Sequence, residues 1–384
     1  MFNEKLVNRF KELKTPFYFY DISLLKNTLE AVKDEADKYG FIVHYAVKAN
    51  ANKKILKLIN DFGFGSDCVS GNEILRSLET GFPAEKIVFA GVGKSDDEIK
   101  IGLDNNIFCF NCESIQEMEV INELALKKKM KANVALRINP NIDPKTHHYI
   151  TTGLEENKFG INRWEFEKIT SSLLKLKNLN VIGLHFHIGS QITDMEIFKS
   201  LCIHANEIQE WFNRHNIYFQ HINVGGGLGV NYEEPDKYLI NDFKTFFKIF
   251  KDIIELKPDQ KLHFEIGRAI VAQCGSLISR VLYIKEGVNT SFVILDAGMT
   301  DLIRPALYQA YHKIENLTSI KKEKKYDVVG PICESSDTFG KAVKLSETKR
   351  GDLIAIRTTG AYGEVMTSQY NLRDLPQIVF SEQL

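Results

Sequence analysis

The sequence predicts a (β/α)₈ barrel of the TIM type joined to a second, mostly β domain. Short apolar runs recur through the first two-thirds of the chain, and a longer amphipathic stretch follows each of them. This alternation predicts parallel strands joined by helices, and eight such units over roughly 250 residues match the size of a (β/α)₈ barrel. The eight predicted strands span residues 42–47, 64–69, 87–90, 107–110, 132–138, 181–187, 221–224 and 261–265.

The pattern changes after about residue 272, where β-like runs follow one another closely with turn residues between them, which is typical of an all-β domain. These runs span residues 277–282, 292–295, 326–329 and 353–357. The strand-like segment 17–20 precedes the first barrel helix, and we expect it to join the same β domain. The predicted division is therefore a barrel over 24–272 and a β domain made of 1–23 and 273–384.

Composition excludes several classes of function. Lys and Arg number 49 against 50 Asp and Glu, so no basic field exists to attract nucleic acid. No apolar run is long enough to cross a bilayer and no secretory signal is evident, so we expect a cytoplasmic protein without a membrane partner. The six cysteines are scattered, and the Cys109–Cys112 pair lacks the second Cys/His pair of a zinc site.

Ionisable side chains lie at the carboxyl ends of predicted strands, where (β/α)₈ barrels carry their chemistry. Lys48 closes an apolar strand, so desolvation would favour the neutral amine that attacks a carbonyl. The alternative is a strand-end lysine whose ammonium reaches water. His187 and Glu265 occupy the same position after later strands, and turn formation does not explain them. Gly91, Asn111 and Asn139 also lie at these ends, and turn formation is enough to explain them.

A glycine run, Gly225–Gly227, directly follows the seventh predicted strand. A backbone without Cβ atoms can approach an anion closely, and these barrels bind phosphate in the region after strands seven and eight. The glycine spacing is not that of the dinucleotide-binding fingerprint. Ser190, after the sixth strand, is a second candidate donor to a phosphate. We therefore expect a phosphate site here rather than a plain turn.

His185 and His187 share one face of the sixth strand, but no third ligand for a metal lies nearby in the sequence. The imidazole of His187 could stack on a flat cofactor, whereas His185 is predicted to be a hydrogen-bonded core histidine. Glu265 could keep a pyridine nitrogen protonated, and a pyridinium ring is the electron sink that carbanion chemistry requires. Combined with Lys48 and the glycine run, these features predict pyridoxal 5'-phosphate and no metal.

Two clusters in the β domain suit an amino-acid substrate. Arg304 and Tyr308 stand four residues apart and could grip a carboxylate with a guanidinium and a supporting hydroxyl. Cys333 and Glu334 place a thiol beside a carboxylate in a turn-rich stretch. The alternative for the cluster of Arg304 and Tyr308 is a surface ion pair, and the alternative for that of Cys333 and Glu334 is an ordinary loop.

Several motifs match a known family in order along essentially the whole chain. They are His44–Asn50, His185–Gln191, Gly225–Gly229, Glu265–Arg268, Arg304–Tyr308, Cys333–Ser335, Gly360–Tyr362 and Tyr370–Asn371. The chain resembles the diaminopimelate decarboxylase family, within the alanine racemase-like (fold type III) pyridoxal-phosphate enzymes. It departs from the family pattern at Ile266, where proline is usual, at Asn72, and in the tail 371–376.

The resemblance implies a role for each matching residue. Lys48 would carry the cofactor as a Schiff base, with His187 stacked on its ring and Glu265 facing the pyridine nitrogen. Cys333 would donate the proton, and Glu334 would bind the distal ammonium of the substrate. Arg268, Arg304 and Tyr308 would bind its distal carboxylate. The other implied cofactor contacts are Ser190, Gly225, Gly226, Gly227, Ile266, Gly267, Arg268 and Tyr362, of which Arg268 and Tyr362 would also contact the substrate.

The implied reaction is the decarboxylation of meso-2,6-diaminopimelate to L-lysine and carbon dioxide, the last step of lysine biosynthesis. The implied assembly is a homodimer whose active sites are shared, because Cys333 and Glu334 would reach the site of the other subunit. The nearest alternative is a related decarboxylase of ornithine, arginine or carboxynorspermidine, although a simple diamine-forming substrate offers Arg304 no distal carboxylate. A racemase would share mainly the Lys48 motif, and a non-catalytic pyridoxal-phosphate carrier would leave the β domain unexplained.

Overall fold

The computed structural model describes residues 2–142 and 158–384. Its strands are β1 Phe17–Tyr20, β2 Ile42–Ala46, β3 Gly65–Cys68, β4 Ile87–Phe89, β5 Cys109–Cys112, β6 Ala132–Ile138, β7 Leu179–Phe186, β8 His221–Asn223, β9 Lys261–Ile266, β10 Gly275–Glu286, β11 Ser291–Leu295, β12 Ile314–Asn316, β13 Glu323–Val329, β14 Thr338–Ser346, β15 Leu353–Ile356 and β16 Gln377–Phe380. Its α-helices are α1 Glu4–Lys11, α2 Ile22–Asp37, α3 Lys53–Asp61, α4 Gly71–Glu79, α5 Asp96–Asp104, α6 Ile115–Lys127, α7 Phe166–Leu173, α8 Met195–Arg214, α9 Phe243–Ile253, α10 Arg268–Val271 and α11 Arg304–Tyr308.

Strands β2 to β9 form a closed barrel in sequence order, and β9 pairs in parallel with β2 to close it. This confirms the predicted (β/α)₈ barrel, and each strand overlaps the run that predicted it. Most barrel-strand residues are buried, because helices cover the outer face of the sheet while side chains fill the interior. Helix α9 is one example, since Phe247 and Phe250 both pack edge-on against Phe264 of β9 with ring centroids 4.9 Å apart.

The helices that follow barrel strands begin at polar caps, which is why short loops suffice there. Ser70, Ser95 and Ser114 each accept a hydrogen bond from the backbone N–H three residues on, at the starts of α4, α5 and α6. Asp194 accepts a similar bond at the start of α8. These caps satisfy backbone donors that a helix end leaves without a partner. Each strand end therefore leads directly into a rigid helix.

The second part of the chain forms a mostly antiparallel sheet in the order β12-β15-β10-β11-β13-β14, and β1 adds to it by pairing with β10 and β16. The predicted β domain is thus confirmed, together with the recruitment of residues 17–20. Its core includes Phe10, Phe17, Phe19 and Ile278. The sequence did not predict β12, β14 and β16. Two of these strands are short, and much of β14 is exposed, so their apolar alternation is weak.

The chain separates into two compact units. The barrel unit comprises Leu29–Gly229 and Asp242–Gly267, and the second unit comprises Met1–Thr28, Val230–Asn241 and Arg268–Leu384. The predicted boundaries at 23/24 and 272/273 stay a prediction. The compact units have limits at 28/29 and 267/268, and Val230–Asn241 groups with the second unit. Among the described residues, no helix combines the length and hydrophobicity needed to cross a membrane.

Candidate active site

Lys48 lies in the single 3₁₀ turn Val47–Ala49 that directly follows β2. Its Nζ donates to Oδ2 of Asp67 at 2.7 Å, and its side chain is 33% exposed. Asp67 belongs to β3, the neighbouring barrel strand, and its side chain is fully buried. The amine is thus held at the carboxyl end of the barrel by a carboxylate and does not simply extend into water.

Asp67 has an unusual environment for a carboxylate. Burial and the negative charge of Glu265 raise its pKa to about 6, although Lys48 acts in the opposite direction. Its Oδ1 is buried and accepts no hydrogen bond from any residue in 2–142 or 158–384. A buried polar atom of this kind costs stability unless a ligand or water supplies a donor. Asp67 therefore offers an unused acceptor for a donor group of a ligand near Lys48.

Glu265, at the end of β9, is held by three hydrogen bonds inside the barrel. Its Oε1 accepts from Nδ2 of Asn111 at 3.1 Å and of Asn223 at 2.7 Å, and its Oε2 lies 2.9 Å from Nε2 of His185. Burial by itself raises the pKa of Glu265, but the charge and hydrogen bond of His185, reinforced by Lys48, hold that pKa well below its usual range. A carboxylate kept anionic in the barrel interior suits a cationic ring nitrogen.

The two histidines of β7 and its loop have separate surroundings. His185 bonds to Glu265 and so supports the carboxylate, which fits the hydrogen-bonded core histidine that the sequence predicted. His187 follows the strand, and burial together with the charges of Arg137 and Lys48 holds its pKa well below the usual value. Its ring is therefore neutral at pH 7, and its Nδ1 accepts a 3.4 Å hydrogen bond from the N–H of Gly226. A neutral, fixed imidazole can serve as a flat stacking surface.

The glycine run packs too closely against its neighbours for any side chain. A Cβ at Gly226 would lie 1.8 Å from the carbonyl oxygen of Glu265, and one at Gly225 would lie 2.3 Å from that of Phe186. The N–H groups of both residues already donate, to His187 and to Asn223 respectively. Packing alone thus accounts for these glycines, and the phosphate role predicted for Gly225–Gly227 stays a prediction.

The remaining predicted cofactor residues of the barrel unit lie on neighbouring loops. The loop that carries Ser190 is joined to the glycine loop by the N–H of Ile192, which donates to the carbonyl of Gly227 at 2.9 Å. Gly267 follows Ile266, the last residue of β9, and a Cβ there would lie 3.0 Å from the Cβ atoms of Ala46 and Ala49. Glycine at 267 therefore lets the backbone pass beside the Lys48 turn.

These residues fit pyridoxal 5'-phosphate on the chemistry of their side chains. Lys48 offers an amine for an aldehyde, Glu265 a permanent anion for a pyridinium nitrogen, and His187 a neutral ring for stacking. The unsatisfied Oδ1 of Asp67 provides a further acceptor near Lys48. Over the described ranges, no group of three or more His, Cys, Asp or Glu is arranged to hold a metal ion.

In the second unit, two buried arginines surround one tyrosine hydroxyl. Nη1 of Arg268 donates to Oη of Tyr232 at 2.6 Å, and Nη2 of Arg304 donates to the same atom at 3.4 Å. The guanidinium of Arg268 lies 4.8 Å from the ring centroid of Tyr362, and that of Arg304 lies 6.0 Å from the ring of Tyr308. The structure thus brings together four of the predicted residues and adds Tyr232, which the sequence did not suggest.

Arg304 is 6% exposed, and within residues 2–142 and 158–384 no carboxylate forms an ion pair with it. Its Nε donates to Nε2 of His312 at 3.2 Å. Burial and the charge of Arg268 lower the pKa of Arg304 from its ordinary value, a shift that tyrosines including Tyr232 oppose. A buried guanidinium whose described partners are neutral is suited to binding an anion.

Cys333 and Glu334 are exposed, and the tail holds their loop. Oη of Tyr370 donates to Oε1 of Glu334 at 2.8 Å, and the N–H of Cys333 donates to Oδ1 of Asn371 at 3.4 Å. The described hydrogen bonds and ion pairs of Arg304 include neither residue. Within the described part of the chain, Cys333 and Glu334 therefore form no hydrogen bond or ion pair with Arg304.

Sequence reasoning missed several residues of these two clusters. Asn111 was interpreted as a possible turn former, yet it lies on β5 and donates to Glu265. Asn223 precedes the glycine run by two residues and is the last residue of β8. The alternation of side chains along that strand, which directs Asn223 into the barrel, was the available signal. Tyr232 and His312 stand in loops between recognised motifs, so no spacing rule marked them.

Comparison with known proteins agrees with this geometry. A family model described as "Pyridoxal-dependent decarboxylase, pyridoxal binding domain" matches residues 23–272. The chain is 57% identical to the diaminopimelate decarboxylase of Bacteroides thetaiotaomicron, with 98% of each chain covered. It is 39% identical to the diaminopimelate decarboxylase of Aquifex aeolicus, with 94% of this chain and 84% of that protein covered.

A crystal structure of diaminopimelate decarboxylase from Helicobacter pylori complexed with L-lysine matches with a TM-score of 0.91 and 40% identity, covering 98% of this chain and 94% of that one. The similarity therefore extends over both units and not only the barrel. The chain belongs to the diaminopimelate decarboxylase family of pyridoxal-dependent decarboxylases.

Proposed function

We propose that this chain uses pyridoxal 5'-phosphate to decarboxylate meso-2,6-diaminopimelate to L-lysine and carbon dioxide. Near-full-length identity of 57% to a diaminopimelate decarboxylase supports the reaction. Within the structure, the observation that carries it is Arg304, whose buried guanidinium has neutral hydrogen-bond partners among the described residues.

The residues of the barrel unit would hold the cofactor. Lys48 would carry its aldehyde, His187 would stack on its ring, and Glu265 would face its pyridine nitrogen. When bound, pyridoxal 5'-phosphate supplies the electron sink for loss of carbon dioxide. Glu265 is suited to this task because His185, Asn111 and Asn223 fix its position and its charge. The proposed phosphate and cofactor contacts are Ser190, Gly225, Gly226, Gly227, Ile266, Gly267, Arg268 and Tyr362.

Arg304 and Tyr308 would bind the distal carboxylate of the substrate, with Arg268 and Tyr362 contributing. The reacting carboxylate leaves most readily when its bond is perpendicular to the cofactor ring, and a grip on the far end of the substrate can select that orientation. Ornithine, arginine and carboxynorspermidine differ from diaminopimelate in this distal group. Arg304 therefore favours diaminopimelate over those substrates.

One assay with four substrates tests the function. Purified protein supplied with pyridoxal 5'-phosphate is expected to release carbon dioxide from meso-diaminopimelate, with L-lysine as product, much faster than from ornithine, arginine or carboxynorspermidine at equal concentration. Faster turnover of any of the other three would identify that compound class as the substrate. No carbon dioxide release from meso-diaminopimelate would refute the proposal.

We further propose that the active enzyme is a homodimer with shared sites. Cys333 and Glu334 are exposed on their own chain, which suits residues that serve the site of a second copy. Cys333 would supply the proton that replaces carbon dioxide, and Glu334 would bind the distal ammonium. A thiol is a suitable acid for this step because its S–H can be transferred to a carbanion.

Subunit complementation tests the shared site. Lys48→Ala and Cys333→Ala are each expected to be inactive alone. Coexpression should produce mixed dimers in which one of the two sites has both residues, so about a quarter of wild-type activity is expected if subunits pair at random. Activity no greater than that of the separate variants would show that Cys333 serves only its own chain.

A cytoplasmic location is part of the proposal, because all six cysteines are free thiols in the structure. Cell fractionation with an antibody to the protein checks it. Recovery in a membrane or secreted fraction would contradict it.

A further inference from the structure

His312 lies between α11 and β12, and its imidazole is buried directly against Arg304. Its Nε2 is the acceptor for Nε of Arg304 at 3.2 Å, and its Nδ1 lies 2.9 Å from the carbonyl oxygen of Arg357. The ring also packs edge-on against Tyr232, with centroids 5.0 Å apart. The family motifs in the sequence do not include this residue, and the reaction described above does not use it.

The two hydrogen bonds allow one protonation state of His312. The carbonyl oxygen of Arg357 can only accept, so Nδ1 carries the hydrogen, and Nε of Arg304 can only donate, so Nε2 carries a lone pair. The ring is therefore a neutral imidazole in the Nδ1–H form. Burial and the charge of Arg304 lower the pKa of His312 to about 3, which agrees with this assignment.

The partner of Nδ1 is itself fixed by the sheet. The N–H of Arg357 donates to the carbonyl of Lys313, which extends the antiparallel pairing of β12 with β15. The guanidinium of Arg357 is buried and forms ion pairs with Asp236 at 2.8 Å and Glu315 at 2.6 Å. The orientation of the His312 ring is therefore determined by the backbone and not by a mobile side chain.

A neutral acceptor has a particular consequence for Arg304. An aspartate or glutamate at this position would pair with the guanidinium and compete with an incoming carboxylate, whereas imidazole orients the guanidinium without cancelling its charge. Because His312 takes Nε, the end of the guanidinium remains for a carboxylate, with both N–H groups of Nη1 and the N–H of Nη2 that does not donate to Tyr232. Fixing a long side chain before the ligand arrives also reduces the entropy lost on binding.

We propose that His312 is a positioning residue that orients Arg304 and thereby gives the enzyme its preference for ligands with a distal carboxylate. This inference rests on the proposed function, because it takes the distal carboxylate as the ligand of Arg304. In this role His312 contacts neither the substrate nor the cofactor. Its effect is exerted through the guanidinium of Arg304.

Two ligands that differ only in the distal carboxylate provide the test. L-Lysine keeps that carboxylate, and cadaverine is the same carbon chain without it. In His312→Phe the ring volume is kept and the acceptor is lost, so the dissociation constant of L-lysine for the holoenzyme should rise about 10- to 100-fold, whereas that of cadaverine should change less than about 2-fold. Isothermal titration calorimetry measures both constants.

Two further variants separate positioning from structural damage. His312→Gln restores an acceptor near Nε2, and we expect it to recover L-lysine binding to within about 3-fold of wild type. His204→Phe is the matched control, because the ring of His204 makes a comparable 2.8 Å bond to the carbonyl of Ser200 on a barrel helix. It should leave the binding of both ligands unchanged. If His312→Phe does not fold, the same comparison is made between His312→Gln and His312→Asn, of which the asparagine is too short to reach Arg304.

The outcomes separate this inference from the proposed function. A wild-type enzyme that binds cadaverine as tightly as L-lysine would refute the role proposed for Arg304. A second outcome would overturn the role of His312 alone. In it, the wild-type enzyme prefers L-lysine, but the variants without the acceptor either keep this preference or bind L-lysine and cadaverine more weakly by the same factor. A double variant adds a check: in an Arg304→Met background, His312→Phe should have no further effect on the preference, because its effect acts through Arg304.

Discussion

The barrel unit and the second unit bury charge in different ways. In the barrel, Lys48 is paired with Asp67, and Glu265 is bonded to His185. In the second unit, Arg304 is as buried as Glu265, but its described partners are a tyrosine and a neutral histidine. The barrel cluster has ionic partners of its own, whereas the described hydrogen-bond partners of Arg304 are neutral.

This difference separates two tasks. A barrel cluster with internal partners keeps its geometry and charges constant while a cofactor reacts, which is the condition for electrostatic preorganisation. An arginine with neutral partners has its strongest interaction only when a carboxylate binds, so it contributes selectively to ligands that carry one. Four substitutions test this contrast.

Lys48→Arg should have the largest effect. Arginine keeps the positive charge beside Asp67 but cannot act as a neutral amine, so carbon dioxide release from meso-diaminopimelate should fall at least about 10,000-fold. Mass spectrometry after borohydride reduction should also lose the cofactor adduct at residue 48. Lys53→Arg, which changes an exposed lysine on α3, is the control and should keep full activity. An adduct found on another lysine would contradict the assignment.

Glu265→Gln should be next in size. The amide keeps the volume and can still accept from Asn111 or Asn223, but it has no charge with which to hold a pyridine nitrogen protonated. We expect kcat to fall about 100- to 1,000-fold while the cofactor still binds. Steady-state kinetics measures the loss, and the visible absorbance of the bound cofactor reports occupancy. Unchanged kcat at full occupancy would show that the anion at 265 is not needed.

Arg304→Met should act on binding rather than on the chemistry of the cofactor. Loss of the guanidinium leaves the distal carboxylate without its partner, and we expect L-lysine to bind at least about 100-fold more weakly, with cadaverine within about 3-fold of wild type. Calorimetry measures both. Arg350→Met, which removes an exposed guanidinium that lies over Tyr283, is the control. Equal losses for the two ligands would assign Arg304 a structural role.

Asp67 predicts a pH dependence of stability in the apoenzyme. Its native pKa of about 6 lies above the ordinary 3.8, so between these values the native chain holds a proton that the unfolded chain has released. The contribution of Asp67 to the free energy of unfolding should therefore fall as pH rises from about 4 to about 6, by about 3 kcal/mol, and stay constant above about pH 7.

Urea unfolding of wild type and Asp67→Asn at several pH values measures this contribution as the difference between the two proteins. Asp61→Asn, which removes an exposed carboxylate on α3, is the matched control and should show no such trend. A difference between wild type and Asp67→Asn that does not vary between pH 4 and 7 would contradict the raised pKa.

Local sequence pattern was sufficient for much of the fold. Each barrel strand overlaps a run that marked it, because strands covered by helices on one face and packed side chains on the other are rich in apolar residues. Strands β12, β14 and β16 were missed for the opposite reason. They are short or partly exposed, so their local apolar pattern is weak. Pairing with strands distant in sequence, such as Ile314 with Ile356, stabilises them instead.

The candidate site divides in the same way. Lys48, His187 and Glu265 were recognisable because each combines an unusual residue type with a strand end. Asn111, Asn223 and His185 were not assigned to Glu265, because three strands far apart in sequence bring them to one carboxylate. Which donors meet an acceptor depends on strand order and register, and these are properties of the closed barrel.

Short-range periodicity and ordered motifs were enough to predict the fold class, the family and the residue types that can do the chemistry. The partners of these residues became apparent only in the folded chain: Asp67 for Lys48, three donors for Glu265, and Tyr232 with His312 for Arg304. This is because the charge state and direction of a buried group are set by the few atoms around it. Those atoms come from segments whose distance along the chain has no relation to their distance in space.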